Sequence, residues 1–260
     1  MSWMNVFCGF GVGLLVGLTG VGGGSLMTPI LVLIFGVAPA TAVGTDLWFA
    51  GITKITGAAL LQSQRRVDWE VVRRLWMGSL PVSVVTLVWM HYSGVGQAKP
   101  KLILLALGWA LLVTSFAMIF KKRTHAFAQT LRKTAPERFK SVQPILTVFA
   151  GVILGFLVTL TSVSAGALGT AMLLYLYPFR MTPARLVGTD IMHAVPLTFV
   201  AGIGHMILGD VNFSLLGNLL IGSIPGILLG TLFGGKVPEA WLRAAIALVL
   251  AAVAAKLLIP

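Results

Sequence analysis

Asp46 and Asp190 each follow a Gly-Thr pair inside a long apolar run, Lys54 lies about two helical turns beyond Asp46, and His193 lies one turn beyond Asp190. An ionised group in hydrocarbon is costly and marks a substrate path, a proton relay or a counter-ion. Each carboxylate can carry a proton, bind a cation, or cap a neighbouring broken helix through its free N–H groups. The intact Gly-Thr-Asp context in both places points to an organising role, with proton relay as the second reading. Lys54 is too deep for snorkelling, so it neutralises a substrate charge, pairs with Asp46 or another carboxylate, or faces a water-filled path. His193 shares a helical face with Asp190. That spacing suits a metal, but two ligands without a third make no site, so the expected arrangement is a hydrogen bond between them. No metal and no cofactor is expected.

A second set of residues consists of glycines and short hydroxyls. Thr19, Gly22, Gly23, Gly24 and Ser25 stand at a break between two apolar runs, and Thr161, Ser162, Ser164 and Gly166 stand at the matching break later in the chain. A broken helix in hydrocarbon is tolerated only where protein or a water-filled cavity satisfies the freed backbone groups. Each break opens a helix N-terminus, whose N–H groups and positive dipole end favour an anion. These residues and Lys54 are the expected substrate-binding set. Gly20, Gly22 and Gly24 also imitate a dinucleotide loop, yet an apolar run stands where that fingerprint needs a soluble strand.

The elements that position these groups occur twice. Pro39-Ala40-Thr41-Ala42-Val43-Gly44-Thr45-Asp46 returns as Pro183-Ala184-Arg185-Leu186-Val187-Gly188-Thr189-Asp190, and at the same offset Gly78-Ser79-Leu80-Pro81 returns as Gly222-Ser223-Ile224-Pro225. Thr198 occupies the place of Lys54 in the second copy. Such a repeat among apolar runs describes a membrane protein whose halves share one architecture, as in many secondary transporters.

Composition agrees: 57% of residues are hydrophobic, 10% are charged and mean hydropathy is +0.96, far from the soluble range. Apolar runs fall at 5–20, 25–37, 40–62, 71–92, 100–120, 143–163, 166–177, 182–208, 211–233 and 240–259. The reading is therefore an all-α polytopic membrane protein of about 8–10 helical segments in one membrane domain. The first repeat covers 5–120, a basic linker 121–141 and the second repeat 142–259. The runs at 25–37 and 166–177 are too short to cross, so each forms a hairpin tip near the midplane or a strongly tilted span. The run at 6–18 lacks a basic leader and a cleavage site, so it reads as a membrane segment. Cys8 is the single cysteine, which rules out an internal disulfide.

Loop charge orients the chain. Arg65, Arg66, Arg73, Arg74, the 121–140 segment, Arg180, Arg185, Lys236 and Arg243 collect on one side, against Lys99, Lys101 and Lys256 on the other. The first side is cytoplasmic by the positive-inside rule. Both termini then face outward, and the two copies enter from opposite faces as inverted repeats. The net charge of +12 serves membrane insertion and contact with anionic lipid, not nucleic acid, since no aromatic-basic stacking platform accompanies it.

The pattern Gly-x-x-Gly-x-Gly-Gly-Gly-x-x-x-x-Pro over residues 17–29, the following Ala-x-Gly-Thr-Asp and the Gly-Ser-x-Pro of the next helix resemble the sulfite exporter TauE/SafE family over nearly the whole chain. The resemblance implies a bacterial inner-membrane transporter of small sulfur-containing anions such as sulfite, sulfoacetate or related organosulfonates. The second half departs from the glycine-rich motif, with Thr159-Leu160-Thr161-Ser162-Val163-Ser164-Ala165-Gly166 in its place. An anion leaving an inside-negative cell gains about 2.3 kcal/mol per charge per 100 mV, so efflux needs no coupled ion. The expected partners are a small anionic substrate and membrane lipid, with a homo-oligomer left open. Two other readings exist. An intramembrane aspartyl protease needs its carboxylates in contact, whereas inverted entry separates Asp46 and Asp190 by on the order of 9 Å in depth. A cation or proton-coupled carrier or channel organised around Asp46 and Asp190 is the stronger alternative.

Overall fold

A computed structural model describes residues 3–19, 24–60, 67–95, 99–134, 136–163, 166–233 and 239–259. Those residues form helices only: α1 (Trp3–Thr19), α2 (Gly24–Leu33), α3 (Pro39–Leu60), α4 (Trp69–Ser93), α5 (Pro100–Thr134), α6 (Pro136–Thr161), α7 (Ala167–Leu176), α8 (Pro183–Ile207), α9 (Phe213–Phe233) and α10 (Glu239–Leu258). Among the described residues, 6 of these helices carry a stretch long and apolar enough to cross a membrane. The chain is a multi-pass membrane protein. With 10 residues each, α2 and α7 rise about 15 Å, half of a hydrocarbon core about 30 Å thick.

The apolar runs recur as these helices. The basic 121–141 linker is largely helical, since α5 runs on to Thr134 and α6 starts at Pro136, with residue 135 outside the described residues. The lysines and arginines that end the membrane span at Lys121 are good helix formers, so the helix continues beyond it.

Sequence explains which helices touch. In α1 the residues Gly9, Gly13 and Gly17 share a face, as do Gly222, Gly226 and Gly230 in α9. A Cβ at Gly9 would run into the Leu219 carbonyl and one at Gly13 into that of Ser223, while Cβ atoms at Gly222 and Gly226 would strike the carbonyls of Val6 and Phe10. Without side chains the two backbones pack directly, and dispersion replaces the hydrophobic drive that lipid cannot supply. The same device joins α6 to α4, where Gly151 and Gly155 sit over the Leu75 and Ser79 carbonyls and Gly78 over that of Val148.

Between these tight pairs, α3 crosses α8 at the centre of the bundle, and α5 packs along α10. Helix α3 buries Ala42, Val43, Thr45, Asp46, Leu47 and Phe49, and α8 buries Leu186, Thr189, Asp190, His193, Ala194 and Leu197. Their junction is locked by Trp48, whose indole donates to the Gly202 carbonyl at 3.0 Å and meets Phe199 edge-on. The outer helices instead present Trp109, Phe116, Leu232, Trp241 and Leu248 outward. In a bilayer such a surface is solvated by lipid, so polar groups collect inside.

Two matching bonds tie the loops to the central helices. Thr189 accepts from the Asp68 backbone N–H at 3.0 Å, and Thr45 accepts from the Asn212 N–H at 3.1 Å. The Gly-Thr-Asp threonines thus each fasten the start of a helix, α4 and α9 respectively. A further clamp joins the start of α4 to the segment between α7 and α8 and to the first turn of α8. Arg180 pairs with buried Asp68 and with Glu70, Arg185 reaches Asp68 at 3.2 Å, and Arg74 holds Glu70. Burial works against the Arg180 charge, but hydrogen bonds to Glu70 and Asp68 outweigh it and hold that guanidinium above the usual arginine pKa.

Candidate functional site

The site is built where α3 and α8 cross, beside the ends of the helices that break. Asp46, on α3, turns toward α2: its Oδ2 accepts from the Thr28 backbone N–H at 3.1 Å and from the Thr28 hydroxyl at 2.5 Å. Pro29 follows Thr28 inside α2, and proline cannot donate a backbone hydrogen bond. Through these two bonds Asp46 ties α2 to α3.

Asp190 occupies the matching position on α8 but has a different partner. Its Oδ2 lies 3.7 Å from Lys54 Nζ, and the two side chains are 4% and 5% exposed. The lysine of the first half thus meets the aspartate of the second half across the centre. A buried ion pair is held by desolvation as much as by attraction, since neither charge has water to turn to.

His193 does not turn to Asp190. Its Nε2 lies 3.0 Å from the hydroxyl of Ser79, in the Gly-Ser-x-Pro motif of α4, and its backbone carbonyl accepts from the Trp76 indole at 3.2 Å. Lys54 takes the Asp190 carboxylate, and the close approach of α4 brings a serine to the imidazole. A polar seam continues from there: the Thr159 and Ser83 hydroxyls are hydrogen-bonded at 2.7 Å, and His205 lies 2.9 Å from the Thr159 carbonyl and 3.3 Å from Asp210.

The tip hydroxyls are unlike one another. Thr19 Oγ1 donates to the Leu15 carbonyl at 2.7 Å and Thr161 Oγ1 to the Leu157 carbonyl at 2.6 Å, so both spend their proton on their own helix. Thr161 also accepts from the Val163 N–H at 3.2 Å, bracing the break. Ser162 has a left-handed backbone with φ of 56°, is buried, and its Oγ has no hydrogen-bond partner among the described residues. Gly166 caps α7 and accepts from the Thr170 N–H at 3.0 Å. Gly24 and Ser25 form the first turn of α2, with the Ser25 side chain outside the described residues, as are Gly22, Gly23 and Ser164. Among the described residues no group of His, Cys, Asp and Glu could hold a metal.

The structure adds residues that the motifs alone did not single out. Thr28 precedes Pro29 in a short apolar run and gives no local signal. Ser79 and Ser223 lie in a repeated motif, but nothing in one sequence tells which of them faces a histidine.

Short half-helices, crossed central helices and buried charge inside a lipid-facing shell define a multi-pass membrane transporter. Residues 5–257 match the family model described as Sulfite exporter TauE/SafE, and the chain belongs to that family. It is 37% identical over 221 residues, 83% of each chain, to the "Probable membrane transporter protein YjnA" of Bacillus subtilis (strain 168). A probable membrane transporter protein of Methanocaldococcus jannaschii is 28% identical over 206 residues, covering 76% of this chain and 69% of the relative. A third, YunE of Bacillus subtilis, is 34% identical over 79 residues, 29% of each chain. No solved structure matches the chain.

Proposed function

We propose that the protein moves small sulfur-containing anions, namely sulfite, sulfoacetate or related organosulfonates, outward across the bacterial inner membrane. The carrying observation is Lys54: a cation buried at the bundle centre, held by an aspartate of the other half. An anion reaching that point exchanges with Asp190 for the lysine. The N–H groups opening α2 and α7, with the hydroxyls of Ser25, Ser162 and Ser164 that the sequence puts at the two breaks, replace the water around its oxygens. Asp46, Asp190 and His193 hold the site in shape. Export follows the membrane potential, which favours anion exit by about 2.3 kcal/mol per charge per 100 mV.

The halves are read as inverted repeats, 5–120 and 142–259, joined by the basic linker at 121–141, with both termini periplasmic. Support comes from paired contacts. The match of α1 with α9 mirrors that of α6 with α4, each built on glycines against backbone carbonyls. The bond from Asp68 N–H to Thr189 likewise mirrors that from Asn212 N–H to Thr45.

The test is flux of sulfite and sulfoacetate into proteoliposomes, with alanine at Ser25 and at Ser164. Loss of one donor to a bound anion costs about 1.5–3 kcal/mol, so apparent affinity should fall roughly tenfold or more in each. Unchanged affinity and flux in both would reduce the tips to packing elements.

A further inference from the structure

We propose that Asp46 is a proton-binding site: in this conformation its carboxyl group carries a proton on Oδ1, shared with the Ser162 hydroxyl, and releases it to water when the second-half tip moves away.

The two carboxylates of the repeat are not equivalent. Asp190 has a cation, Lys54. Among the described residues Asp46 has none, and Thr198 occupies the lysine's place in the other half. The elements packed against α3 are α1, α2, α5, α8 and α9. Helices α2 and α9 contain no titratable side chain, α1 only Cys8, and α5 carries charges only at Lys101 and from Lys121 onward. On α8 the titratable groups are Arg185, Asp190, His193 and His205, of which Arg185 holds Asp68, Asp190 holds Lys54, and His205 faces Asp210 beside the α8–α9 turn. An ionised Asp46 would therefore be a fully buried anion with its charge unmatched, a state that hydrocarbon surroundings penalise heavily.

Its hydrogen bonding is also half complete. Both Thr28 donors converge on Oδ2, while Oδ1 is buried without a partner, and so is the Oγ of Ser162. The Ser162 hydroxyl faces this carboxylate. The Ser162 hydroxyl donating to an ionised Oδ1 would satisfy both oxygens but leave the buried charge unmatched, whereas a proton on Oδ1 donated to Ser162 satisfies both and removes the charge as well. Ser162 also stands just past the C-terminal end of α6, where carbonyls and the negative dipole end favour a positive group.

The geometry makes the site conformationally sensitive. Asp46 belongs to the first half and Ser162 to the break of the second, and Ser162 is held at φ of 56°, a strained setting for a residue with a side chain. If the tip moves, Oδ1 loses its acceptor and meets water, and the proton leaves. Resting on the anion-transport reading above, this makes proton and anion movement coupled.

The proton site is tested without any substrate. Infrared difference spectra of the purified full-length protein in lipid nanodiscs, taken between mildly acid and alkaline buffer, should contain a protonated-carboxyl carbonyl band. The band should vanish in Asp46→Asn, persist in Asp190→Asn, and shift in Ser162→Gly, in which glycine accepts the left-handed backbone. Thermal melting establishes that each variant is folded. A band that survives Asp46→Asn, or is absent from the wild type throughout, overturns the proposal. So does stabilisation by sodium chloride over choline chloride that disappears in Asp46→Asn, which assigns the position to sodium. Coupling is read in proteoliposomes carrying a pH-sensitive dye and a sulfite gradient, where the proton-to-sulfite ratio should collapse in Asp46→Asn. Sulfite flux with no proton movement in the wild type would refute coupling while sparing the transport reading. An Asp46 band in a protein that moves no sulfur anion would do the reverse.

Discussion

Replacing Lys54 by Met leaves Asp190 as a buried carboxylate facing the space of a lost cation. At 3.7 Å, the two charges attract by about 4 kcal/mol at an effective dielectric near 20. Burying them costs several kcal/mol per ion, so the intact pair contributes little net stability. Breaking it is another matter. Removal of one partner typically costs about 3–5 kcal/mol because the remaining charge stays desolvated. For a chain of this size that corresponds to a fall in melting temperature of about 6–20 °C. Asp190→Leu should lose a similar amount. The double variant Lys54→Met with Asp190→Leu should return to within a few degrees of wild type, since apolar side chains of similar volume replace the pair, yet it should no longer move anions. Melting followed by intrinsic fluorescence in detergent, beside sulfite flux in proteoliposomes, reads both quantities. If either single replacement shifted melting by less than about 2 °C, or if the double variant kept full flux, the ion pair would be neither a structural constraint nor the anion's station.

Gly13→Ala and Gly155→Ala should each destabilise the protein by about 1–3 kcal/mol, because the new methyl group meets the carbonyls of Ser223 and Ser79 respectively; equal losses in thermal unfolding would support the correspondence of the two helix pairs, and a loss in only one would argue against it. Thr45→Val and Thr189→Val each strip the partner from one loop N–H and should cost about 1–3 kcal/mol apiece. In a Cys8→Ser background, a membrane-impermeant thiol reagent applied to intact cells should label cysteine at Met4 or Ile259 and spare Phe127; labelling at Phe127 alone would reverse the orientation.

The helices were legible in the sequence because lipid imposes one rule on every span: apolar faces and satisfied backbone. Their partners were legible only in part. The glycine stripes of α1 and α9 show their purpose only in the structure, because which helix each meets depends on the three-dimensional crossing, which no local pattern encodes. At the site, the repeated Gly-Thr-Asp marked Asp46 and Asp190, and the single lysine stood out by lacking a copy. The partners diverged from expectation where two groups competed for one acceptor. Lys54 takes the Asp190 carboxylate, so His193 turns to Ser79, and the choice is made by the packing of α4 on α8. Thr28 escaped notice because a threonine in a short apolar helix resembles filler until the carboxylate that it caps is placed beside it.

The sign of the transported ion tests the central claim most directly. In proteoliposomes, sulfite, sulfoacetate, thiosulfate and sulfate are supplied one at a time, with sodium flux measured in parallel. The account predicts saturable movement of a sulfur oxyanion or sulfonate, driven outward by an inside-negative potential and weakened more by Lys54→Ala than by Asp46→Asn. Movement of sodium or another cation with no response to any of these anions, abolished by Asp46→Asn and by Asp190→Asn, would contradict it.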